Sequence, residues 1–344
     1  MKQTSILNIS FLYTLLAFPA FYFVYKFGDV SDIAHDFFQY YRLYNNWDWS
    51  SVNAPFNMRL ISAFLVFLQN KIGIYYNTAT AFDKYLGYGF DKCVYFNAIL
   101  FNYLCVVFTS TFIYGILYSE LKNKATAFIG GLLYLLGFGT IFYELMPCTD
   151  AFSTLLFLGI WFLYRKKSKW IYLLLAAAIF QREYLLMVMV LLAFMDFVRR
   201  RDAFFLWVGL FSVICFGLYF ILRRTYFYTP ALSFQTSASS LWQSFLHPDF
   251  AMGTFIKQIV LTLNIYFIYM AFVFYKWRKG LSIQRSAFYN INFLLLQIVL
   301  ISFAAVLGNN AGRYYYMLAP MLIIELMLEA KFLFEQERSI IHTD

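Results

Sequence analysis

Long apolar runs recur along the chain from Ile6 to Phe334, and only loop-sized polar stretches separate them. A transmembrane helix needs about 20 consecutive, mostly apolar residues. The pattern predicts about ten such helices, at roughly 6–25, 93–118, 125–143, 150–164, 169–181, 184–198, 203–222, 254–275, 287–307 and 314–333. The predicted fold is therefore all-α, a polytopic membrane helix bundle that forms a single integral membrane domain over residues 1–344.

One further apolar segment, residues 59–69, is too short to cross a membrane. Its eleven residues would rise about 16 Å as a helix, whereas the hydrocarbon core is about 30 Å thick. We expect an interfacial or re-entrant helix here, within a first outer loop that spans residues 26–92.

Charge supports this topology. With the N-terminus in the cytoplasm, 16 of the 27 Lys and Arg residues fall in short cytoplasmic loops or tails, as the positive-inside rule requires. A membrane crossing by residues 59–69 would move every dense basic cluster outside. The net charge of +9 is thus explained by membrane orientation, and no nucleic-acid partner is expected. A second outer loop spans residues 223–253.

The length of the predicted spans indicates a recessed cavity on the outer side. Residues 168–198 must go out and back in 31 residues, which make about 46 Å of helix where two full crossings need about 60 Å. The turn at Arg182 and Glu183 should therefore lie below the outer surface. Charges at that depth must be paired or solvated, and they commonly mark functional sites.

The first outer loop carries the densest group of polar candidates, namely Asp29, Asp32, His35, Asp36 and Tyr40. Asp32, Asp36 and Tyr40 recur every four residues and would share one face of a helix. Close carboxylates raise one another's pKa, which suits a general base. The alternative is a solvated amphipathic helix that lies on the membrane.

Five other positions join this group, namely Asp150, Arg182, Glu183, Arg313 and His247. Asp150 opens a short span, where it could equally cap the helix. Arg182 or Arg313 could hold a phosphate, although an Arg at the position of Arg313 could also be an interfacial residue in an aromatic belt. His247 is a weaker candidate in the second outer loop. The four cysteines show no metal-binding spacing, and no metal site is expected.

In this order along the chain, the residues resemble the GT-C superfamily, membrane glycosyltransferases that take sugar from a polyprenyl-phosphate carrier. The correspondence consists of short, degenerate motifs that cover most of the chain. They are Asp32, Asp36 and Tyr40; the interfacial stretch 55–60; Thr149-Asp150 leading to the basic turn 165–167; Gln181-Arg182-Glu183-Tyr184; and Arg313 followed by aromatics up to Pro320. Some members of the superfamily carry a paired Asp-Glu in the first loop, where this chain has His35-Asp36.

The resemblance implies an inverting transfer at the extracytoplasmic face, typical of a bacterial inner membrane protein with its site towards the periplasm or exterior. Asp36, or else Asp32, would deprotonate a glycan, lipid or protein acceptor. Arg182 and Arg313 would bind the phosphate of the polyprenyl-linked donor. No cofactor is required, and a divalent cation is left open as an addition.

Two other classes of function remain alternatives. One is a glycan polymerase or O-antigen-ligase type of enzyme, which uses polyprenyl-pyrophosphate donors and typically Arg- and His-rich outer loops; only three His occur here. The other is a secondary transporter or lipid flippase, for which internal repeats and broken spans are expected.

Overall fold

The computed structural model describes residues 3–30, 34–52, 56–227, 271–272, 274–276, 278–280 and 316–341. Within these ranges the regular elements are helices and no strand occurs. The α-helices are α1 Gln3–Phe27, α2 Ala34–Asn46, α3 Leu60–Ile72, α4 Lys92–Leu121, α5 Lys124–Leu135, α6 Asp150–Arg165, α7 Ile171–Ala178, α8 Glu183–Arg200, α9 Ala203–Thr225 and α10 Ala319–Ile341. The predicted all-α class is confirmed for this part of the chain.

Three of the described helices are long and apolar enough to cross a membrane. They are α1 from Ile6 to Phe27, α4 and α9. The predicted span 287–307 and most of 254–275 lie outside the described residues. The number of about ten spans therefore stays a prediction.

Helix α5 ends earlier than the predicted span 125–143. After Leu135 the chain turns, and a π-helical turn follows at Thr140–Glu144. A Cβ atom on Gly139 would lie only 2.1 Å from a ring carbon of Tyr316, and one on Gly137 would lie 2.2 Å from its hydroxyl. The glycines thus admit the Tyr316 ring against the backbone, and their low helix propensity favours the early end of α5.

Helices α3 and α7 are short, as the spacing of apolar residues predicts. Helix α3 has 13 residues, about 20 Å of rise, and ends at Gly73, whose φ of 75° glycine adopts without steric cost. Helix α7 has only 8 residues. Both helices are therefore much shorter than the hydrocarbon core is thick.

The chain folds into two compact units. Unit 1 comprises Met1–Ala17, Val107–Thr140 and Met252–Asp344. In it, Tyr316 and Thr140 share a hydroxyl–hydroxyl hydrogen bond of 2.6 Å. A buried ion pair of 2.6 Å joins Lys276 to Glu329.

Unit 2 comprises Phe18–Val106 and Ile141–Ala251, and an aromatic cluster organises its first loop. Tyr95 of α4 stacks on Phe82 with ring centroids 4.3 Å apart, and its hydroxyl donates to the Gly28 carbonyl at 3.2 Å. Phe37 of α2 packs edge-on against Phe82 at 5.7 Å. Because Phe37 is fully buried, this cluster fixes α2 beside the end of α1 and the start of α4.

The close approach of Gly139 and Tyr316 leads to a first prediction. The substitution Gly139→Ala should lower the free energy of unfolding by about 1–3 kcal/mol, because the added methyl group overlaps the Tyr316 ring. The measurement is thermal or denaturant unfolding of the purified protein in detergent.

Gly115 provides the matched control, since a Cβ atom there would meet nothing within 4 Å. Gly115→Ala in α4 should leave stability unchanged or raise it by about 0.5–1 kcal/mol. Equal destabilisation by both substitutions would show that the Tyr316 contact is not the cause.

Candidate functional site

A buried ion pair joins the start of α6 to the turn before α8. Arg182 Nη2 donates to Asp150 Oδ1, and the two side chains are only 3% and 1% exposed. Arg182 has extended backbone and directly precedes the first residue of α8, whereas Asp150 is the first residue of α6. The short α7 and the turn after it therefore bring Arg182 to the start of α6, where it meets Asp150.

Gln181 connects this ion pair to the rest of unit 2. Its Nε2 donates to the Thr149 carbonyl at 3.1 Å and to Ser153 Oγ at 2.9 Å. Its Oε1 accepts from the backbone N–H of Ser62 at 3.3 Å. One buried amide thus holds the start of α6, the α7–α8 turn and α3 together.

Tyr40 of α2 meets the same region from the segment between α1 and α4. Its buried hydroxyl accepts hydrogen bonds from Arg59 Nη1 and, at 3.2 Å, from Thr149 Oγ1. The Arg59 guanidinium also lies 5.7 Å from the centre of the Tyr40 ring and 5.4 Å from that of Phe56. We call the six residues Tyr40, Arg59, Thr149, Asp150, Gln181 and Arg182 the buried polar cluster.

Asp36 lies near the edge of this cluster. The predicted helix through Asp36 and Tyr40 is present as α2, and residues four apart on a helix are neighbours at about 5–6 Å between Cβ atoms. Asp36 is half-buried, whereas Tyr40 is buried. Asp36 and Tyr40 are thus one helical turn apart on the same face of α2.

Glu183 follows Arg182 as the first residue of α8 and is half-buried. Glu183, Arg59 and Arg223 all interact electrostatically with the buried Tyr219 of α9. Glu183 therefore directly adjoins Arg182 of the buried polar cluster along the chain.

A second buried carboxylate lies in the segment before α6. Glu144 accepts a hydrogen bond from Thr154 Oγ1 at 2.7 Å and is 1% exposed. Asn102 of α4 donates to the carbonyl of Cys148 at 2.9 Å. These bonds fix the irregular segment that leads into Asp150.

Asp29 has a different environment from the other candidates. Lys84 Nζ donates to both of its carboxylate oxygens, at 2.8 and 2.7 Å, and the Asp29 side chain is 47% exposed. The hydrogen bond to Asp29 raises the pKa of Lys84. Asp29 thus forms a surface ion pair that fastens the loop.

Three predicted site residues, Asp32, His247 and Arg313, lie outside the described residues. The backbone of His35 belongs to α2, and its side chain is not described. In the part of the chain that the structure describes, no group of three or more His, Cys, Asp or Glu residues could hold a metal ion.

An open apolar groove of about 410 Å³ lies against α3. Its lining residues are Trp47, Leu60, Ile61, Phe64, Leu65 and Phe180. Leu60 follows Arg59 directly, and Phe180 precedes Gln181. The two segments that supply Arg59 and Arg182 to the buried polar cluster therefore also line the groove.

The sequence pattern alone does not assign Arg59 and Gln181 to the site. It indicates Arg59 as a boundary of the short apolar segment and as part of the stretch 55–60, and Gln181 as part of another motif, without a role for either side chain. The signal that could have found them is their position in the sequence. Arg59 directly precedes the apolar helix α3, and Gln181 directly precedes the charged turn at Arg182 and Glu183.

Comparisons of the chain with protein-family models, with curated proteins and with solved structures found no match.

The Asp150–Arg182 pair leads to a second prediction. Asp150→Asn should lower the free energy of unfolding by about 3–5 kcal/mol, because it leaves the Arg182 charge buried without its counter-ion. Adding Arg182→Gln should restore part of this loss, since no unpaired charge then remains. Denaturant unfolding in detergent of both single variants and the double variant measures the coupling.

Asp29→Asn is the control, because it removes a carboxylate from an exposed ion pair. Exposed pairs contribute about 0–1 kcal/mol, and a correspondingly small change is expected. Strictly additive effects of Asp150→Asn and Arg182→Gln would contradict a direct interaction between the two side chains.

Proposed function

We propose that the chain is an integral membrane glycosyltransferase that transfers a sugar from a polyprenyl-phosphate carrier to an acceptor at the extracytoplasmic face. The observation that carries the proposal is the position of the buried polar cluster beside an apolar groove. A polyprenyl phosphate has the same two parts, an anionic head and a long apolar tail.

The charge of the cluster suits an anionic head. It contains two guanidinium groups, Arg59 and Arg182, and one carboxylate, Asp150. Arginine binds phosphate in a planar, bidentate geometry. The departing polyprenyl phosphate gains negative charge during transfer, and preoriented guanidinium groups stabilise such charge.

The groove suits the apolar tail. Burial of apolar surface contributes about 25 cal/mol per Å² to the free energy of binding, and the residues that line the groove are aliphatic and aromatic. A tail that lies along α3 would place its phosphate at the Arg59 end of that helix. The three long apolar helices support a location in the bilayer, where such carriers reside.

Asp36 is the proposed general base. Its carboxylate is half-buried and one turn from Tyr40, so an acceptor hydroxyl between Asp36 and the cluster would meet both the base and the donor. The deprotonated oxygen forms the new bond to the anomeric carbon as the bond to the phosphate oxygen breaks, and the phosphate leaves with the electron pair.

The third prediction concerns this base. Asp36→Asn should reduce transfer by about 10²–10⁴-fold while membrane insertion is preserved, since an amide cannot accept the proton. The measurement is release of undecaprenyl phosphate from a panel of undecaprenyl-phosphate hexoses and pentoses, with purified protein in liposomes and a membrane extract as acceptor.

Asp29→Asn serves as the matched control, because it changes a carboxylate of the same loop that is engaged by Lys84. It should retain activity within about twofold. Full activity of Asp36→Asn would remove Asp36 from the proposed role. Movement of the intact donor across the liposome membrane with no covalent product would favour a flippase, and reaction only with pyrophosphate-linked donors would favour a polymerase or ligase.

The fourth prediction concerns the groove. Leu65→Trp should weaken the binding of undecaprenyl phosphate about tenfold, because the larger side chain displaces the apolar tail from the groove. A short-chain prenyl phosphate should be much less affected. Competition with a fluorescent prenyl phosphate in detergent measures both affinities.

Leu68→Trp is the control on the same helix. Leu68 is exposed like Leu65 and does not line the groove. Equal loss of binding in both variants would argue against tail binding at this place.

A further inference from the structure

Two basic turns of unit 2 lie side by side. Lys167, in the turn between α6 and α7, pairs with Asp202, in the turn between α8 and α9. The ring of Phe205 lies beneath both turns, 5.4 Å from Lys167 Nζ and 5.4 Å from Arg200 Cζ. The two turns therefore form one continuous surface at the same end of the helices.

This surface carries a large excess of positive charge. Residues 164–170 and 196–202 contain seven basic and two acidic side chains. We call the seven the basic patch: Arg165, Lys166, Lys167, Lys169, Arg199, Arg200 and Arg201. All of them except the half-buried Arg165 are exposed.

The two carboxylates are engaged in fixing the turns. Asp196 is buried, accepts from the Tyr164 hydroxyl at 2.8 Å, and lies 3.5 Å from Arg200 Nε. Asp202 caps α9 by accepting from the Phe204 N–H at 2.9 Å. The hydrogen bond from Lys167 lowers the pKa of Asp202. Five positive charges remain in excess after both carboxylates are counted.

Two residues of the basic patch have left-handed backbone. Lys167 and Arg201 have φ values of 51° and 54°, in the left-handed region that favours glycine. Glycine would form either turn with less conformational strain. A glycine at either position is therefore a substitution that removes the charge without adding backbone strain.

Exposed apolar side chains border the basic patch. Trp170 is 70% exposed and Val198 is 64% exposed. Tryptophan is enriched where a membrane meets water. A ligand of the patch should accordingly combine an anionic group with an adjoining apolar part, and should lie at that boundary.

We propose that the basic patch binds the phosphate headgroups of anionic phospholipids in the leaflet that faces these turns. Arg199 and Arg201 contact the phosphate, and Trp170 packs against the adjoining glycerol and acyl region. The proposal rests on membrane embedding alone, so it is independent of glycosyl transfer.

The experiment uses delipidated full-length protein in detergent and a fluorescent phosphatidylglycerol, with fluorescent phosphatidylcholine for comparison. The wild-type protein should bind phosphatidylglycerol more tightly. The double variant Arg199→Gln, Arg201→Gly should weaken this binding about 25-fold, at about fivefold for each charge removed from an anionic surface. The glycine relieves the left-handed strain, so the melting temperature should not fall.

Lys122→Gly is the matched control. Lys122 is also exposed and left-handed, with a φ of 55°, but its turn has Glu120 and Lys124 nearby and an excess of only one charge. Its affinity for phosphatidylglycerol should stay within about twofold of the wild type. Equal loss in both variants, equal binding of phosphatidylcholine, or displacement by inorganic phosphate at equal concentration would overturn the proposal.

Discussion

The burial of the Asp150–Arg182 ion pair constrains the arrangement of the surrounding helices in unit 2. A charge with 1–3% exposure would lose several kcal/mol of hydration without recovering it, unless a counter-charge and further hydrogen bonds meet it. The start of α6 and the turn before α8 must therefore lie together. Gln181 satisfies the adjacent backbone carbonyl of Thr149 and extends the network to α3.

The segment between α1 and α4 is held by a different kind of interaction. Stacked and edge-on rings of Phe37, Phe82 and Tyr95 form a buried aromatic cluster between this segment and α4, and aromatic pairs add directional preference to the area they bury. This core aligns α2 so that Tyr40 reaches Arg59. Two carboxylates of one loop consequently have unlike environments, since Asp29 is tied to Lys84 at the surface and Asp36 lies beside the cluster.

Helices α6 and α8 each begin at the buried polar cluster and end at the basic patch. Helix α6 runs from Asp150 to Arg165 over 16 residues, a rise of about 24 Å, and α8 runs from the Arg182–Glu183 turn to Arg200. The buried polar cluster and the basic patch are thus separated by the length of a helix. The structure therefore places the buried polar cluster at one end of α6 and α8 and the basic patch at the other.

The sequence by itself determined the features that depend on neighbouring residues: the helical class, the basic turns, the short α3 and α7, and the face that Asp36 shares with Tyr40. It also predicted that the Arg182 turn is recessed, because chain length limits how far a hairpin can extend. Only the tertiary structure decided which side chains from distant parts of the chain interact. Arg59 meets a tyrosine 19 residues away and Arg182 an aspartate 32 residues away. Tyr316 ends α5 from the far end of the chain. Such pairings follow from the packing of distant segments, for which no local periodicity exists to be read.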